Sequence, residues 1–312
     1  MAVDKLRIVL PDLISNSYFP AIAAVELGYF AEEGFEVDLK LHFPVTKAME
    51  ALRDSEVDFV AGAAHATLHA FPSWQGARLL VALAQHMYWF LVLRADLHVQ
   101  RGDLPTMKGL RIGAAPGPDA GLRRLLIEGG IDPEREGVQI GPVPAAAGGS
   151  VSFGITAAQA LEDGTIDGFW ANGMGAEVAV QRGVGTVVLD VRRGDGPEQA
   201  RHYTFPALVT TEQRIANAPE SVAAAIRAIV RAQAALREDP GRATEIGRRL
   251  FPLQEAELIA ELIRRDLPYY DPAISEETVA HLNHFAHASA LLSRDVPYDQ
   301  VVATQFSELW KS

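Results

Sequence analysis

The segment that decides the fold opens with Tyr18-Phe19-Pro20-Ala21 and Leu27-Gly28-Tyr29-Phe30-Ala31-Glu32-Glu33-Gly34-Phe35-Glu36-Val37. It continues through Ala48-Met49-Glu50-Ala51-Leu52 to Val57-Asp58-Phe59-Val60-Ala61-Gly62-Ala63-Ala64-His65-Ala66. It reads as strand end, helix, tight turn, strand, helix and strand, with small residues where strands leave the sheet. In 21–33 and 46–54 apolar residues recur at three- and four-residue spacing, the signature of one helical face. The runs 6–10, 36–41 and 57–61 are short and β-rich. Gly28 tolerates a chain reversal, Tyr29 and Phe30 are expected beneath the sheet, and Gly34 turns the chain into the next strand. A βαβαβ rhythm of this kind predicts a parallel sheet with crossover helices.

Working outward, 65–71 reads as a short helix ending near Pro72, followed by strands at 78–84 and 89–93. The rhythm restarts near Leu104: strand 111–115, helix 118–129 ending at Gly129-Gly130, and strand 138–143. A helix within 150–163, strand 168–171, helix 174–182 and strand 186–189 complete the second set. Leu52-x-x-Ser55-Glu56-Val57-Asp58-Phe59 faintly echoes Leu161-Glu162-Asp163-Gly164-Thr165-Ile166-Asp167-Gly168-Phe169. One short echo shows similar architecture without proving a repeat. After a strand at 205–210 the pattern turns helical: 219–237, 240–249, 254–266, 275–292 and 298–310. These helices are expected to complete one lobe, with their arginines on solvated faces.

The 312 residues suffice for two ordinary domains or one large α/β domain. A formal net charge of −12 argues against a nucleic-acid binder and against attraction to anionic lipid. It leaves room for a small anionic ligand held by local donors. The chain has no cysteine, which excludes disulfides, thiolate metal sites and cysteine nucleophiles. No run of about 18 apolar residues predicts a membrane-spanning helix. The first strand begins almost at Met1 with no apolar leader before it, so either a leader has been removed or the protein is cytoplasmic.

The order and spacing of these pieces resemble the type II solute-binding proteins of ABC importers, in the branch serving nitrate, sulfonates, taurine and the thiamine pyrimidine precursor. The resemblance rests on Pro20-Ala21, Leu27-Gly28-Tyr29-Phe30, Gly34-Phe35-Glu36-Val37 and Ala51-Leu52 before Val57-Asp58-Phe59. It continues with Leu110-Arg111-Ile112-Gly113, Gly164-Thr165-Ile166-Asp167-Gly168-Phe169-Trp170 and Pro219-Glu220-Ser221-Val222, and covers roughly residues 5–250. It implies an α/β, two-lobed periplasmic-binding-protein-like type II fold. Each lobe is then a mainly parallel sheet flanked by helices, and lobe one carries a helical C-terminal extension. Lobe one is expected at 1–92 plus 206–312 and lobe two at 93–205, with a ligand cleft between them and hinges near 93–94 and 203–205.

In open α/β sheets ligands sit beyond the carboxyl ends of strands and at helix N-termini. That rule selects five loops. Ser15-Asn16-Ser17-Tyr18-Phe19 offers hydroxyls, an amide and rings, or a simple cap; Ser17, Tyr18 and Phe19 are the candidates. Ala61–Thr67 offers Ala64 and His65. His69, four residues on, shares the helical spacing of a zinc pair, but the Glu of the metalloprotease motif is missing and no metal site is expected. Gln85-His86-Met87-Tyr88-Trp89 suits a flat ligand through Gln85, His86, Tyr88 and Trp89, or forms a packed strand start. Pro116 and Gly117 open a small-residue loop before a helix, where Asp119 can act as a cap. Trp170 is a candidate wall, and Asn172 a polar handle or helix cap. Ser150-Val151-Ser152-Phe153 can add contacts. Few Lys or Arg fall on these loops, which argues against a multiply charged anion.

The expected function is therefore capture of a small organic ligand (an aromatic acid, a sulfonate or a pyrimidine-like heterocycle) by closure of two lobes. No cofactor, metal or catalytic residue is expected. The resemblance implies an ABC permease partner, a periplasmic location and a monomer that does not itself span the membrane. The alternative is a cytoplasmic enzyme on the same fold, a hydrolase or lyase acting on a small aromatic substrate. The related desulfinase has its nucleophilic cysteine near the position of Ser17. With cysteine absent, that chemistry does not carry over, and Ser17 with His65 becomes the candidate nucleophile–base pair.

Overall fold

The computed structural model of the protein describes residues 4–143 and 152–311. Its strands, in chain order, are β1 (Asp4–Leu10), β2 (Phe35–Leu41), β3 (Phe59–Ala63), β4 (Ala77–Ala82) and β5 (Phe90–Arg94), then β6 (Arg111–Ala114), β7 (Gln139–Gly141), β8 (Gly168–Ala171), β9 (Gly185–Asp190) and β10 (Pro206–Thr211). They form two five-stranded sheets, ordered β2-β1-β3-β10-β4 and β7-β6-β8-β5-β9. Two compact units result, Met1–Gln85 with Thr204–Ser312, and His86–Tyr203.

The sheets share one pattern. β1 runs parallel to β2 and β3, and β6 parallel to β7 and β8. In fourth place each sheet carries a single antiparallel strand, β10 between β3 and β4, and β5 between β8 and β9. Each of these is the first strand the chain forms after changing unit. A boundary drawn at residue 92 falls inside β5, whose two edges are both paired within the second sheet. The chain divides instead between Gln85 and His86.

In the first unit, β3 reads Phe-Val-Ala-Gly-Ala and is buried throughout, as a central strand covered on both faces must be. A Cβ on Gly62 would lie 2.9 Å from Val45 Cγ2, so helix Val45–Arg53 crosses β3 closely only because that position is bare. The helix expected over 21–33 is two helices, Phe19–Glu26 and Tyr29–Glu32, separated by Gly28 in the left-handed region at φ 81°. Phe30 is buried. Tyr29 is only half-buried and does not pack under the sheet; its ring lies beneath the Arg231 guanidinium at 4.3 Å. Three arginines of the later helices likewise reach back to the first ones. Arg227 pairs with Glu33 at 2.6 Å, Arg231 with Glu32, and Arg249 with Glu26 at 2.9 Å. These pairs are partly exposed, each contributing at most about 1 kcal/mol, but they set how helices Pro219–Glu238 and Arg242–Leu250 lie on Phe19–Glu32.

The helix expected over 298–310 is interrupted. After Tyr298–Val301 the chain extends at Val302, which bridges Leu79 of β4 in parallel, and Ala303 N donates to Leu79 O at 3.0 Å, a distance typical of a ladder. The β-branched pair Val301-Val302 serves the open edge of β4 better than it serves a helix. A 3₁₀ turn, Thr304–Lys311, then brings Trp310 Nε1 to Leu80 O at 3.0 Å.

In the second unit, helices Phe153–Glu162 and Gly173–Gln181 meet backbone to backbone. A Cβ on Gly175 would stand 2.6 Å from Gly154 Cα. The expected helix start at Ser150 and Val151 lies outside the described residues. Among the described residues no helix is long and apolar enough to cross a membrane.

Candidate functional site

The parallel strands point their carboxyl ends to one edge of each sheet, and the antiparallel strand brings its amino end there. At that edge of the first sheet lie the loops after β1, β3 and β4 and the segment before β10. Ser15, Asn16 and Ser17 are all buried. The loop holds itself in shape: Ile14 N donates to Asp12 Oδ1 at 2.9 Å, and Ser17 N to Ser15 Oγ at 3.2 Å. Asn16 Nδ2 donates to Asp266 Oδ2 at 2.6 Å, tying the loop to the end of helix Leu253–Asp266. Asn16 Oδ1 and Ser17 Oγ are buried with no hydrogen-bond partner among the described residues. Tyr18 precedes the helix without capping it through its side chain. Phe19 is core, its ring edge-on to Phe251 at 6.2 Å.

His65 sits fully buried in the 3₁₀ turn Ala64–Ala66. Its Nδ1 is 3.0 Å from Thr204 Oγ1, its backbone N donates to the same hydroxyl at 3.3 Å, and its ring stands edge-on to Phe285 at 5.4 Å. Ala64 N donates to Phe205 O at 2.9 Å. The segment before β10 thus fixes both residues. His69 is exposed where His65 is buried, so the two do not form a shared metal face. Among the described residues no cluster of three His, Asp or Glu is placed to hold a metal. Gln85 spends its amide on structure: Nε2 donates to Asp271 O at 2.9 Å and to Ala273 O at 2.8 Å, splicing that segment to the end of β4.

At the corresponding edge of the second sheet lie 86–89 before β5 and the loops after β6, β8 and β9. His86 takes a positive φ of 66° and packs edge-on against His202 at 5.1 Å. Tyr88, Trp89 and Trp170 are buried and form a chain of rings, with centroids 4.8 Å apart for the first pair and 5.9 Å for the second. Trp170 Nε1 donates to Pro118 O at 3.1 Å, which seats the ring on the helix that Pro116 and Gly117 introduce. Gly117 has φ 98°, and its N donates to Asp119 Oδ1 at 3.0 Å. Asn172 is a helix cap, its Oδ1 accepting from Met174 N at 3.0 Å and Gly175 N at 3.3 Å. Ser152 Oγ caps the neighbouring helix through Ile155 N; Ser150 and Val151 lie outside the described residues.

The sequence reading passed over three residues at these edges. Thr204 orients His65, and Asp266 orients Asn16. Arg192 is buried in the turn after β9, its guanidinium 5.7 Å from the centre of the Tyr88 ring. An Arg-Arg pair ending a strand was the signal available for Arg192. Nothing local marks Thr204 or Asp266.

The sequence profile described as NMT1/THI5 like matches residues 15–243. No curated protein matches the sequence significantly. Among solved structures the chain is similar to the alkanesulfonate-binding protein SsuA from Xanthomonas axonopodis pv. citri bound to MOPS. That match has a TM-score of 0.72 and 13% identity, covering 96% of this chain and 99% of that one. It is similar to the periplasmic nitrate-binding protein NrtA from Synechocystis PCC 6803, with a TM-score of 0.70 and 15% identity over 99% of this chain and 88% of that one. A variant of the desulfurization enzyme DSZB in complex with biphenyl-2-sulfinic acid is also similar, with a TM-score of 0.66 and 16% identity over 99% of each chain. At these identities the likeness concerns the two-lobed α/β fold.

Proposed function

The chain belongs to the NMT1/THI5-like family, and from that membership we propose that it is the substrate-binding protein of an ABC importer. In this reading it captures a small organic ligand (an aromatic acid, a sulfonate or a pyrimidine-like heterocycle) by closure of its two lobes. It then presents the ligand to a membrane permease, acting as a periplasmic monomer. Ser17, Tyr18, Ala64 and His65 would serve from one lobe, and His86, Tyr88, Pro116 and Gly117 from the other. Phe19, Gln85, Trp89, Trp170 and Asn172 would act mainly by fixing those loops. The similarity to the alkanesulfonate-binding protein SsuA and the nitrate-binding protein NrtA supports this reading.

The observation that carries binding over catalysis is the pairing of His65. Its Nδ1 meets Thr204 Oγ1, and Ser17 Oγ has no hydrogen-bond partner among the described residues, which supports binding over a Ser17–His65 nucleophile–base couple. Mass spectrometry of small molecules released from freshly purified protein tests the proposal. A released ligand that raises the melting temperature when added back, and is recovered unchanged, is the expected result. Conversion of that molecule, abolished by Ser17→Ala or His65→Ala, would establish the desulfinase-like alternative instead.

A further inference from the structure

We infer that Asn16 selects the ligand at the carboxyl edge of the first sheet, and that it selects for an N–H donor. The inference rests on the binding reading above. Asn16 is buried, and its planar amide has two unlike arms. One arm is committed: Nδ2 donates to Asp266 Oδ2 at 2.6 Å. A carboxylate oxygen accepts and an amide oxygen cannot donate, so this contact decides which way the amide faces. The other arm, Oδ1, therefore presents an acceptor, and no described residue donates to it.

A buried carbonyl oxygen left without a donor costs about 1–3 kcal/mol, so such an atom in a folded protein calls for a partner. The next residue adds a second group of the same kind, since Ser17 Oγ is buried and likewise without a partner among the described residues. Both stand where the chain enters helix Phe19–Glu26, at the end of β1. A molecule meeting Oδ1 must bring a donor. Sulfonate and nitrate groups bring only acceptors and meet Asn16 with lone pair against lone pair. An amine, amide or amino-substituted heterocycle satisfies it. Asp266 is then a positioning residue, since it acts on the ligand only by holding the amide.

The test is calorimetric titration and thermal shift of the full chain with three matched pairs: benzenesulfonamide against benzenesulfonate, methanesulfonamide against methanesulfonate, and 4-aminopyrimidine against pyrimidine. In at least one pair the donor-bearing member should bind about tenfold more tightly. Asn16→Ala should remove that preference. Asp266→Asn should weaken it, because an amide at 266 can accept or donate and so frees Asn16 to turn; this variant also answers the question if Asn16→Ala does not fold by circular dichroism. The inference is overturned if the donor-free member binds equally or better in every pair, if no donor-bearing member binds, or if the preference survives both substitutions. Equal binding of benzenesulfonate to wild type and Asn16→Ala overturns this inference while leaving the binding function standing. A released molecule that the protein converts overturns both.

Discussion

Asp58 holds Arg7 by backbone and side chain together. Arg7 N donates to Asp58 Oδ2 at 2.7 Å, Nε to the same oxygen at 3.2 Å, and NH2 to Oδ1 at 3.0 Å, while Asp58 N donates back to Arg7 O at 2.9 Å. Arg7 NH2 also reaches Ser55 O at 3.1 Å. The second unit repeats this clamp. Arg111 N and Nε donate to Asp167 Oδ2 at 2.9 Å, NH2 donates to Oδ1 at 2.8 Å and to Gly164 O at 3.1 Å, and Asp167 N donates to Arg111 O at 2.8 Å. Each clamp locks the start of the ladder between two adjacent parallel strands, β1 with β3 and β6 with β8. A second arginine completes each: Arg214 NH1 lies 2.9 Å from Asp58, and Arg94 NH1 3.5 Å from Asp167. The faint echo between 52–59 and 161–169 is the sequence trace of this shared device.

Asp58→Asn should therefore destabilise the first unit by about 2 kcal/mol, since it leaves Arg7 and Arg214 facing a neutral amide in a half-buried site. Asp167→Asn should cost less, because Asp167 is itself more exposed than Asp58 (16% against 8%) and its second arginine is more exposed than Arg214. Urea unfolding followed separately by hydrogen exchange in 4–85 and 86–203 checks both. Equal loss in both units for either variant would contradict the local clamp.

Acid should weaken the fold through the same pair. The side-chain hydrogen bond from Arg111 holds the Asp167 carboxyl below the ordinary carboxylate range, against the opposing effect of burial. At Asp58 burial pushes the carboxyl up, but hydrogen bonds from Arg7 and the charges of Arg214 and Arg7 outweigh it, and the net direction is also down. A folded-state value below the unfolded one gives stability that is present above about pH 4 and lost as pH falls through the depressed values. Unfolding midpoints should stay level from about pH 7 to 5 and then drop, less steeply in the Asp58→Asn/Asp167→Asn double variant. An unchanged slope in the double variant would place the acid sensitivity elsewhere.

Gly175→Ala should cost about 2 kcal/mol, because the new methyl would stand 2.6 Å from Gly154 Cα, where neither backbone can yield. Exchange protection should fall across 153–181, including the Asn172 cap. A surface site such as Ala290→Gly, where φ is 58°, should by contrast be neutral or stabilising.

Thr204→Val keeps the shape of residue 204 but removes the hydroxyl beside His65 Nδ1. A buried ring nitrogen without its partner should cost about 1–2 kcal/mol, and Thr204→Ser should restore most of it. Melting temperatures of the three proteins test this, together with ring-proton NMR of His65. A valine variant as stable as wild type would mean the contact is incidental.

Most strands were legible because they are short β-rich runs with Gly, Pro or Asp close to an end, and these local signals agree with the sheet. The Asn172 cap was legible for the same reason, since it acts within three residues of itself; Ser152, read only as a source of contacts, caps its helix in the same local way. What stayed hidden depends on distant pairing. Val302 leaves its helix because β4 offers an edge at Leu79. Asn16 faces as it does because of Asp266, 250 positions away. Tyr29 reads as core by its hydrophobicity, yet Arg231 draws its ring to the surface. Phe19 reads as a ligand candidate and Trp170 as a wall, and both rings are buried, since a sequence pattern cannot tell a ring lining a loop from one filling the layer beneath it.

The place of β10 between β3 and β4 bears on how the protein is made. On the ribosome, residues 90–190 can assemble the second sheet from one continuous stretch as they emerge. The first sheet has no such option. Its strands β3 and β4 are synthesised early but share no ladder with each other, and both wait for Pro206–Thr211. Until then they present open strand edges, the feature that invites pairing between nascent chains. A chain stalled or cut before residue 206 would thus carry one finished sheet and one adhesive one, and quality control in the cell would meet this protein chiefly through its first lobe.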